Sequence, residues 1–290
     1  MKYRFMDQQK LYHRVEKMAR VLEVSRSGYY AWVKREKSLR EREDKKLVEQ
    51  IRDIQNNKAK FRYGSPRITA ELQKRGFCVG HNRVARLLRE NELGARRRKK
   101  FRITTLSSHK HAPAKNIVNR KFRPARINAV WASDLTYIAT GEGWLYLCVI
   151  IDLYSRRVIG WSMSNSLSTE VLLRAFWMAC MRRGNSEGVV FHSDRGVQYA
   201  SKSFRRALRK KKMVQSMSRR GNCWDNACAE SFFKTLKNEL IGNTVYIDRT
   251  TAQKEIFEYI EMFYNRIRLH STLGHCSPLE YERQEKKNAA

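Results

Sequence analysis

Three carboxylates in the second half of the chain occupy positions where chemistry is expected. Residues 128–245 contain nine Asp and Glu residues. Asp134 lies in a strand-like segment among small and polar neighbours, and Asp194 follows a short apolar segment and precedes a glycine-containing turn. Glu230 belongs to an amphipathic helical segment. Because ligand sites collect at the strand ends of α/β sheets, we expect these three side chains to form one site.

Carboxylates from three separate elements suit a hard divalent cation, which prefers oxygen ligands. The predicted cofactor is Mg²⁺, with Mn²⁺ expected to substitute, at two ions per active site. Two such ions can hold the attacking and leaving oxygens of an in-line displacement at a phosphodiester. The scattered Cys and Ser residues form no triad pattern, so no covalent protein nucleophile is expected.

The elements that must position these residues follow from hydrophobic periodicity. The predicted order is strands 128–140, 144–152 and 156–164, helix 168–183, strand 188–194, helix 201–213, strand 214–218 and helix 225–240. This order predicts an α/β fold, a mixed sheet flanked by helices. Asp152 is interpreted as a structural residue at a hairpin turn, and Asp225 as the N-cap of the last helix.

The charge of the chain points to a polyanionic partner. The 290 residues carry a formal net charge of +32, and hydrophobic residues make up 42%, enough for a core. Residues 1–126 contain 36 Lys and Arg against 12 Asp and Glu, whereas residues 127–290 contain 24 against 16. This excess indicates a polyanion, most simply nucleic acid, bound mainly by the basic residues 1–126.

Two helical units in the basic half resemble helix-turn-helix modules. In residues 15–35 a short apolar helix is followed by Ser25 or Ser27 as the cap of a second helix. In the second unit, Ser65-Pro66 begins a helix that Gly76 ends, and an arginine-bearing helix runs from about 81 to 92. An arginine-lined second helix suits the major groove, although a small helical domain with a solvated basic face is the alternative.

Several basic residues are therefore candidates for DNA contact. Those of the helix 81–92 would face the groove, the cluster after Gly94 would follow a phosphate backbone, and two residues belong to the basic helix 201–213. Lys234 and Lys237 share a helix face with Glu230. The full set is Arg83, Arg86, Arg89, Arg96, Arg97, Arg98, Lys99, Lys100, Arg205, Arg209, Lys234 and Lys237. Trp224, in the loop before Glu230, is a further candidate for stacking on a base, although a core role is the commoner one for tryptophan.

The sequence words around the three carboxylates resemble a known family. Thirty-five residues separate Asp194 from Glu230, which matches the D,D(35)E pattern of retroviral integrases and related transposases. The segments WASDLTYI, VIIDLYSRRVIGW, HSDRGVQYAS, NACAESFFKTLKNE and YNRIRLHSTLGHCSPLEY resemble the downstream-frame (OrfB) product of the IS-three family of bacterial insertion sequences. The resemblance covers roughly residues 60–282, with several motifs in order and spacing.

The resemblance implies an RNase H-like integrase core and Mg²⁺-dependent DNA transposition. A DDE transposase would bind the terminal inverted repeats of its element, cleave to free a 3′ hydroxyl and transfer that strand, often through a circular intermediate, into target DNA. Asp134, Asp194 and Glu230 would be the catalytic metal ligands, and Lys237 matches a basic residue seven positions after the family's glutamate. The product of the upstream frame is a further expected partner, and the pairing of two ends predicts at least a homodimer.

These observations predict six segments. They are a helix-turn-helix-like region at 1–36, a charged connector helix at 37–60, a helix-turn-helix DNA-binding domain at 61–100, a basic linker at 101–126, the RNase H-like catalytic core at 127–245, and a C-terminal helical segment and tail at 246–290. Two other functions stay open. A non-catalytic DNA-binding regulator would need only the basic half, and a nuclease that only hydrolyses would need no sequence reader.

The cellular setting is predicted from what the sequence does not contain. The longest apolar run, 144–151, is too short to span a bilayer, and no apolar signal region begins the chain. Six scattered cysteines without a CxxC pair indicate reduced thiols instead of a disulfide frame or a zinc site. We therefore expect a cytoplasmic, nucleoid-associated bacterial protein with no membrane partner.

Overall fold

The structure is a computed structural model that describes residues 1–36, 38–57, 60–61, 63–93, 113–220, 222–242 and 244–288. The predicted phosphate-contacting cluster Arg96, Arg97, Arg98, Lys99 and Lys100 lies outside the described residues, as does the first part of the predicted linker. In the described ranges, no helix is long and apolar enough to cross a membrane.

The N-terminal unit consists of three short helices, α1 (Lys2–Gln9), α2 (Val15–Val21) and α3 (Arg26–Lys34). They pack around a small core of Met6, Met18, Ala19 and Tyr29. Ser25 caps α3 by accepting a hydrogen bond from the Gly28 amide at 3.2 Å. Ser25 is one of the two caps that the sequence predicted. The predicted helix-turn-helix arrangement of residues 15–35 is present.

A second helical unit contains α4 (Leu39–Asn56), α5 (Ser65–Lys74) and α6 (His81–Glu90). A capping box between Ser38 and Glu41 begins α4. Its residues Leu47, Ile51 and Ile54 are buried in the same hydrophobic core as α5 and α6. The prediction of a separate connector at 37–60 is therefore wrong, because an apolar stripe on this charged helix completes the three-helix unit.

A five-stranded mixed sheet forms the centre of the second half, in the order β3-β2-β1-β4-β5. The strands are β1 (Val130–Thr140), β2 (Gly143–Asp152), β3 (Val158–Ser164), β4 (Val190–Ser193) and β5 (Val214–Met217). The first three pair as an antiparallel meander, and β4 and β5 continue the sheet in parallel with β1. The predicted strands are all present.

Helices cover both faces of the sheet. They are α7 (Thr169–Arg183), α8 (Val197–Ala200), α9 (Lys202–Lys210), α10 (Ala227–Leu236), α11 (Arg249–Phe257) and α12 (Pro278–Asn288). Residues of α7 and α9 pack with Trp131 and Phe191 on one face. Residues of α10 and α11 pack with Leu147 and Val149 on the other face. The alternation of side chains along β1 and β2 supplies both faces, as a doubly covered sheet requires.

The core extends past the predicted boundary at residue 245. Ala252, Ile256, Ile260 and Tyr264 are buried in the same cluster as the β2 residues. Two π-helical turns, Lys237–Ile241 and Glu258–Tyr264, extend α10 and α11. The segment 246–290 is therefore helical as predicted, but it is part of the core because its apolar side chains complete one face of the sheet.

The second part of the predicted linker is also packed on the core. The backbone amide of Ile117 donates to Ser216 Oγ at 2.9 Å, and Val118 is buried. The Met217 amide donates to the Lys115 carbonyl at 3.4 Å. The residues from 114 to 120 therefore follow the outer edge of β5 and protect its backbone groups, so the prediction of an extended linker does not hold for them.

Candidate active site

Parallel pairing of β1 and β4 brings two of the predicted carboxylates side by side. Ser133 of β1 is in register with Ser193 of β4, and each of these serines is followed by a candidate aspartate, Asp134 and Asp194. Asp134 Oδ1 accepts a hydrogen bond from the Leu135 amide at 2.8 Å. Asp194 Oδ1 accepts one from the Gly196 amide at 2.9 Å, which shapes the turn after β4. Both side chains are half-buried at the carboxyl end of β4.

The third carboxylate is presented by a helix that packs beside β1. Ala229, Phe233 and Leu236 of α10 are buried in the core, as their spacing predicted. Glu230 lies beside this apolar face and is half-buried. Asn226, which directly precedes α10, donates a side-chain hydrogen bond to the Ser133 carbonyl at 3.3 Å. This bond ties the start of the helix to the strand residue just before Asp134.

The three carboxylates interact electrostatically with one another. Burial, followed by the negative charge of Asp194, raises the pKa of Asp134 well above its ordinary value. Burial and the Asp194 charge also raise the pKa of Glu230. Like charges and desolvation disfavour the ionised form, so this site favours a cation.

The donor set fits a hard divalent ion, because three carboxylates offer only oxygen ligands. In the described part of the chain, no group of three or more His, Cys, Asp or Glu side chains is gathered closely enough to hold a metal ion. Asp134 and Asp194 each follow a serine of the paired strand register, and the negative charge of Glu230 adds a smaller rise than that of Asp194 to the pKa of Asp134.

Lys237 stands beside the carboxylates, as its position on the helix face of Glu230 suggested. Burial lowers the pKa of Lys237, and the negative charge of Asp134 partly opposes this effect. Its Nζ lies 5.3 Å from the centre of the Tyr137 ring, within cation–π range. Tyr137 in turn packs edge-on against Trp144, with the ring centres 4.9 Å apart. Lys234 is exposed one turn earlier.

Asp225 fixes the approach to α10 and is not the N-cap that the sequence suggested. Asn226 occupies the N-cap position, whereas Asp225 lies in the 3₁₀ turn Cys223–Asn226 and is fully buried. The side-chain hydrogen bonds and charge of Arg219 and Arg120 hold the pKa of Asp225 well below its usual range. The sequence did not indicate this role, because an N-cap is recognised from the residues at the start of the helix, and neither arginine is one of them.

His192 belongs to the same support. It is fully buried in β4, with Nδ1 2.9 Å from Ser216 Oγ and Nε2 2.7 Å from the Asp225 carbonyl oxygen. Burial lowers the pKa of His192. It links two strands to the turn before α10, so its contribution to the site is positional.

Asp152 is structural, as predicted from its position at the end of β2. It is fully buried, and its carboxylate accepts hydrogen bonds from the amides of Asn128 and Tyr154, both at 3.0 Å. Arg183 lies 3.2 Å away and also pairs with Glu282 of α12. Burial raises the pKa of Asp152 to about 6.

The basic residues predicted to contact DNA fall into distinct environments. Arg83 pairs with Glu43 and Asp44 of α4 at 2.9 and 2.7 Å, and Arg86 pairs with Asp44 at 2.6 Å. These two arginines face α4, whereas Arg89 is exposed. On α9, Arg205 is half-buried and Arg209 is exposed.

Comparison with known proteins agrees with this architecture. Models described as an integrase core domain match residues 124–223 and 230–285, and a model described as an HTH-like domain matches residues 41–101. The last range begins in α4, which supports its place in the three-helix unit. The chain is 39% identical to the transposase InsF for insertion sequence IS3A of Escherichia coli K12, over 97% of this chain and 98% of the relative. It is 41% identical to an uncharacterized 31 kDa protein of insertion element IS600 from Shigella sonnei, over 94% of this chain and all of the relative.

Solved structures similar to the chain include viral integrases at low identity. The catalytic core of the HTLV-2 integrase in complex with magnesium has a TM-score of 0.41 and 16% identity, over 55% of this chain and 99% of that chain. A simian T-cell lymphotropic virus intasome in complex with a PP2A regulatory subunit has a TM-score of 0.46 and 14% identity, over 76% of this chain and 70% of that chain.

The integrase core domain defines a DDE polynucleotidyl transferase, and an HTH-like domain precedes it. The identity to InsF extends over nearly the whole of both chains. The chain belongs to the IS3 family of insertion-sequence transposases.

Proposed function

We propose that this transposase binds the terminal inverted repeats of its element and carries out Mg²⁺-dependent 3′-end cleavage and strand transfer. The observation that carries the proposal is the register of β1 and β4, which sets Asp134 beside Asp194 at the strand end that α10 covers with Glu230. Two bound Mg²⁺ ions, or Mn²⁺ in their place, would activate the attacking oxygen and stabilise the leaving oxygen of the phosphodiester.

The chain's own residues divide the remaining work. Asp134, Asp194 and Glu230 would hold the ions through their carboxylate oxygens. Lys237 and Lys234, on the same helix as Glu230, bind the phosphates that flank the cleaved bond. Asn226 ties the start of α10 to β1, and the buried Asp225 holds the turn that precedes this helix. The reacting groups therefore meet in a preorganised frame.

The helical units would provide most of the contacts to DNA. Arg89 and Arg209 are exposed and suit phosphate contact, as does the cluster 96–100. Arg83 and Arg86 would have to exchange their partners on α4 for DNA, which makes them candidates for groove contacts formed only on binding. Two ends must be joined, so the working form is at least a homodimer in the bacterial nucleoid, with the upstream-frame product as a further partner.

The experiment is a cleavage-and-joining assay with purified protein, Mg²⁺ or Mn²⁺, and labelled DNA that ends in the repeats flanking the gene. We expect a nicked 3′ end and then a joined product. Hydrolysis without joining would instead support a nuclease, and tight binding without chemistry would support a regulator. Addition of the fused upstream frame separates a regulator from an enzyme that needs this partner.

A further inference from the structure

Trp224 is a large aromatic side chain that is mostly exposed to solvent. It lies in the 3₁₀ turn Cys223–Asn226, and 69% of its surface is accessible. A large aromatic side chain gains about 1.5–3 kcal/mol when it is buried, so leaving one in water forgoes that gain. An exposed indole close to a reactive centre is therefore a candidate binding surface.

Hydrogen bonds to Asp225 hold the turn that carries Trp224. The adjacent Asp225 accepts hydrogen bonds from Asn116 Nδ2 at 2.9 Å, from Arg120 Nε at 3.1 Å, and from the Arg219 amide, Nε and Nη2 at 3.0, 2.9 and 2.8 Å. These five hydrogen bonds fix the carboxylate of Asp225, the residue that follows Trp224. The indole is thus presented outward from a fixed base, which lowers the entropic cost of binding a planar group.

The turn that carries Trp224 is linked to the strand that carries Asp134. Trp224 is two residues from Asn226, which spans at most about 7.6 Å between Cα atoms at 3.8 Å a residue. Asn226 in turn donates to the carbonyl of Ser133, the residue before Asp134. Glu230 stands four residues further along α10, about 6 Å at the helical rise. Trp224 therefore belongs to the segment that leads into the Glu230 helix and is tied to the strand residue before Asp134.

The charge around Trp224 selects the kind of ligand. Arg219 and Arg120 flank its turn, and about half of each side chain is exposed although both pair with Asp225. Lys237 and Lys234 lie on the helix that follows. Aromatic faces interleaved with guanidinium groups are typical of surfaces that bind unpaired nucleotides. An apolar protein partner would have to desolvate these cations, which disfavours that alternative.

We propose that Trp224 stacks on the base next to the cleaved phosphodiester and holds it unpaired at the end of the element. This inference rests on the proposed function, since it specifies the state of the DNA at that same site. Opening the terminal base pairs costs free energy, and stacking on the indole would offset that cost.

The test compares Trp224→Leu, which keeps apolar bulk without an aromatic face, with Trp224→Phe, which keeps the face. On fully paired ends, we expect Trp224→Leu to slow cleavage between about fivefold and about a hundredfold, the range for the loss of one base stack. Trp224→Phe should retain most of the rate. On ends with two mismatched terminal pairs, the deficit of Trp224→Leu should shrink, because opening no longer has to be offset.

A binding measurement keeps the inference testable if the protein proves inactive alone. The DNA end carries 2-aminopurine at the base next to the cleavage point, in the background of Glu230→Gln, so that the substrate stays intact. Stacking on the indole predicts a fluorescence change on binding that Trp224→Leu abolishes and that is absent when the probe is placed ten pairs inward. Equal rates for wild type and Trp224→Leu on paired ends would overturn the proposal. So would a deficit that is the same on mismatched ends, or one that is accompanied by a lower melting temperature.

Discussion

Glu239 joins the helix-turn-helix-like unit to the catalytic core through a buried network. Its carboxylate accepts hydrogen bonds from Arg268 Nε and Nη2, both at 2.8 Å, from Tyr259 at 2.8 Å, and from Arg67 of α5 at 2.9 Å. Glu239 follows Lys237 by two residues in the same π-helical turn. The network therefore connects the helix-turn-helix-like unit directly to the helical turn that carries Lys237.

We predict that Glu239→Gln lowers the free energy of unfolding by about 3–5 kcal/mol, the usual cost of removing one partner from a buried ion pair. Arg268 is only 7% exposed, so its guanidinium would be left without a counter-charge in a desolvated place. An amide of the same shape keeps one acceptor oxygen, which separates the loss of charge from the loss of volume.

The measurement is urea unfolding of wild type, Glu239→Gln and the control Glu187→Gln. Glu187 also pairs with a cation, Lys212 at 3.0 Å, but both side chains are more than half exposed. Exposed pairs contribute little, so the control should unfold like wild type. If the two variants behave alike, the network does not connect the two halves as described.

The pH dependence provides an independent check on this network. Burial disfavours the ionised form of Glu239. The hydrogen bonds and the charge of Arg268 outweigh this effect, so the pKa of Glu239 is lowered. A carboxylate with a lowered pKa contributes its full stabilisation at pH values above its ordinary pKa, which is 4.5 for Glu239. This stabilisation declines as the pH falls below that value. The stability difference between wild type and Glu239→Gln should therefore narrow in acid. A difference that stays constant down to pH 3 would refute the assigned ion pair.

Three further predictions concern other parts of the core. Because burial raises the pKa of Asp152 to about 6, wild type should gain stability relative to Asp152→Asn as the pH falls from about 6 to about 4, measured by urea unfolding at each pH. Gly160→Ala should lower the melting temperature, since a Cβ there would lie 2.2 Å from the Ala175 carbonyl oxygen; an unchanged value would contradict the packing of β3 on α7. Lys237→Met should slow cleavage more than it weakens binding of the repeats, and equal losses in the two assays would reduce this lysine to a general phosphate contact.

The sequence predicted the strands of the sheet because strand segments follow from local patterns. Strand segments such as 144–152 are continuously apolar, and the register of parallel strands brings Asp134 and Asp194 together once the strands are assigned. The apolar spacing on α10 also placed Glu230 beside the buried face. The strands and the apolar face of α10 follow from local patterns, whereas the pairing of β1 with β4 joins residues sixty positions apart.

The features that the sequence did not predict depend on contacts between distant residues. Asp225 was interpreted as a cap because its neighbours suggested one, yet its partners are Arg219 and, over a hundred residues away, Arg120. The charged face of α4 concealed the three apolar residues that complete the three-helix unit. The pairing of Arg83 with Asp44 likewise follows from that packing, and no local pattern indicates it.

The central claim is that Asp134, Asp194 and Glu230 form one metal-dependent site for phosphodiester chemistry. The most direct measurement is the joining of labelled element ends by Asp134→Asn, Asp194→Asn and Glu230→Gln, with the exposed Glu170→Gln as control. The account predicts that each of the first three abolishes joining while DNA binding and the melting temperature are kept, and that the control joins like wild type. Joining by any one of the three, at the wild-type rate and in the same metal, would contradict it.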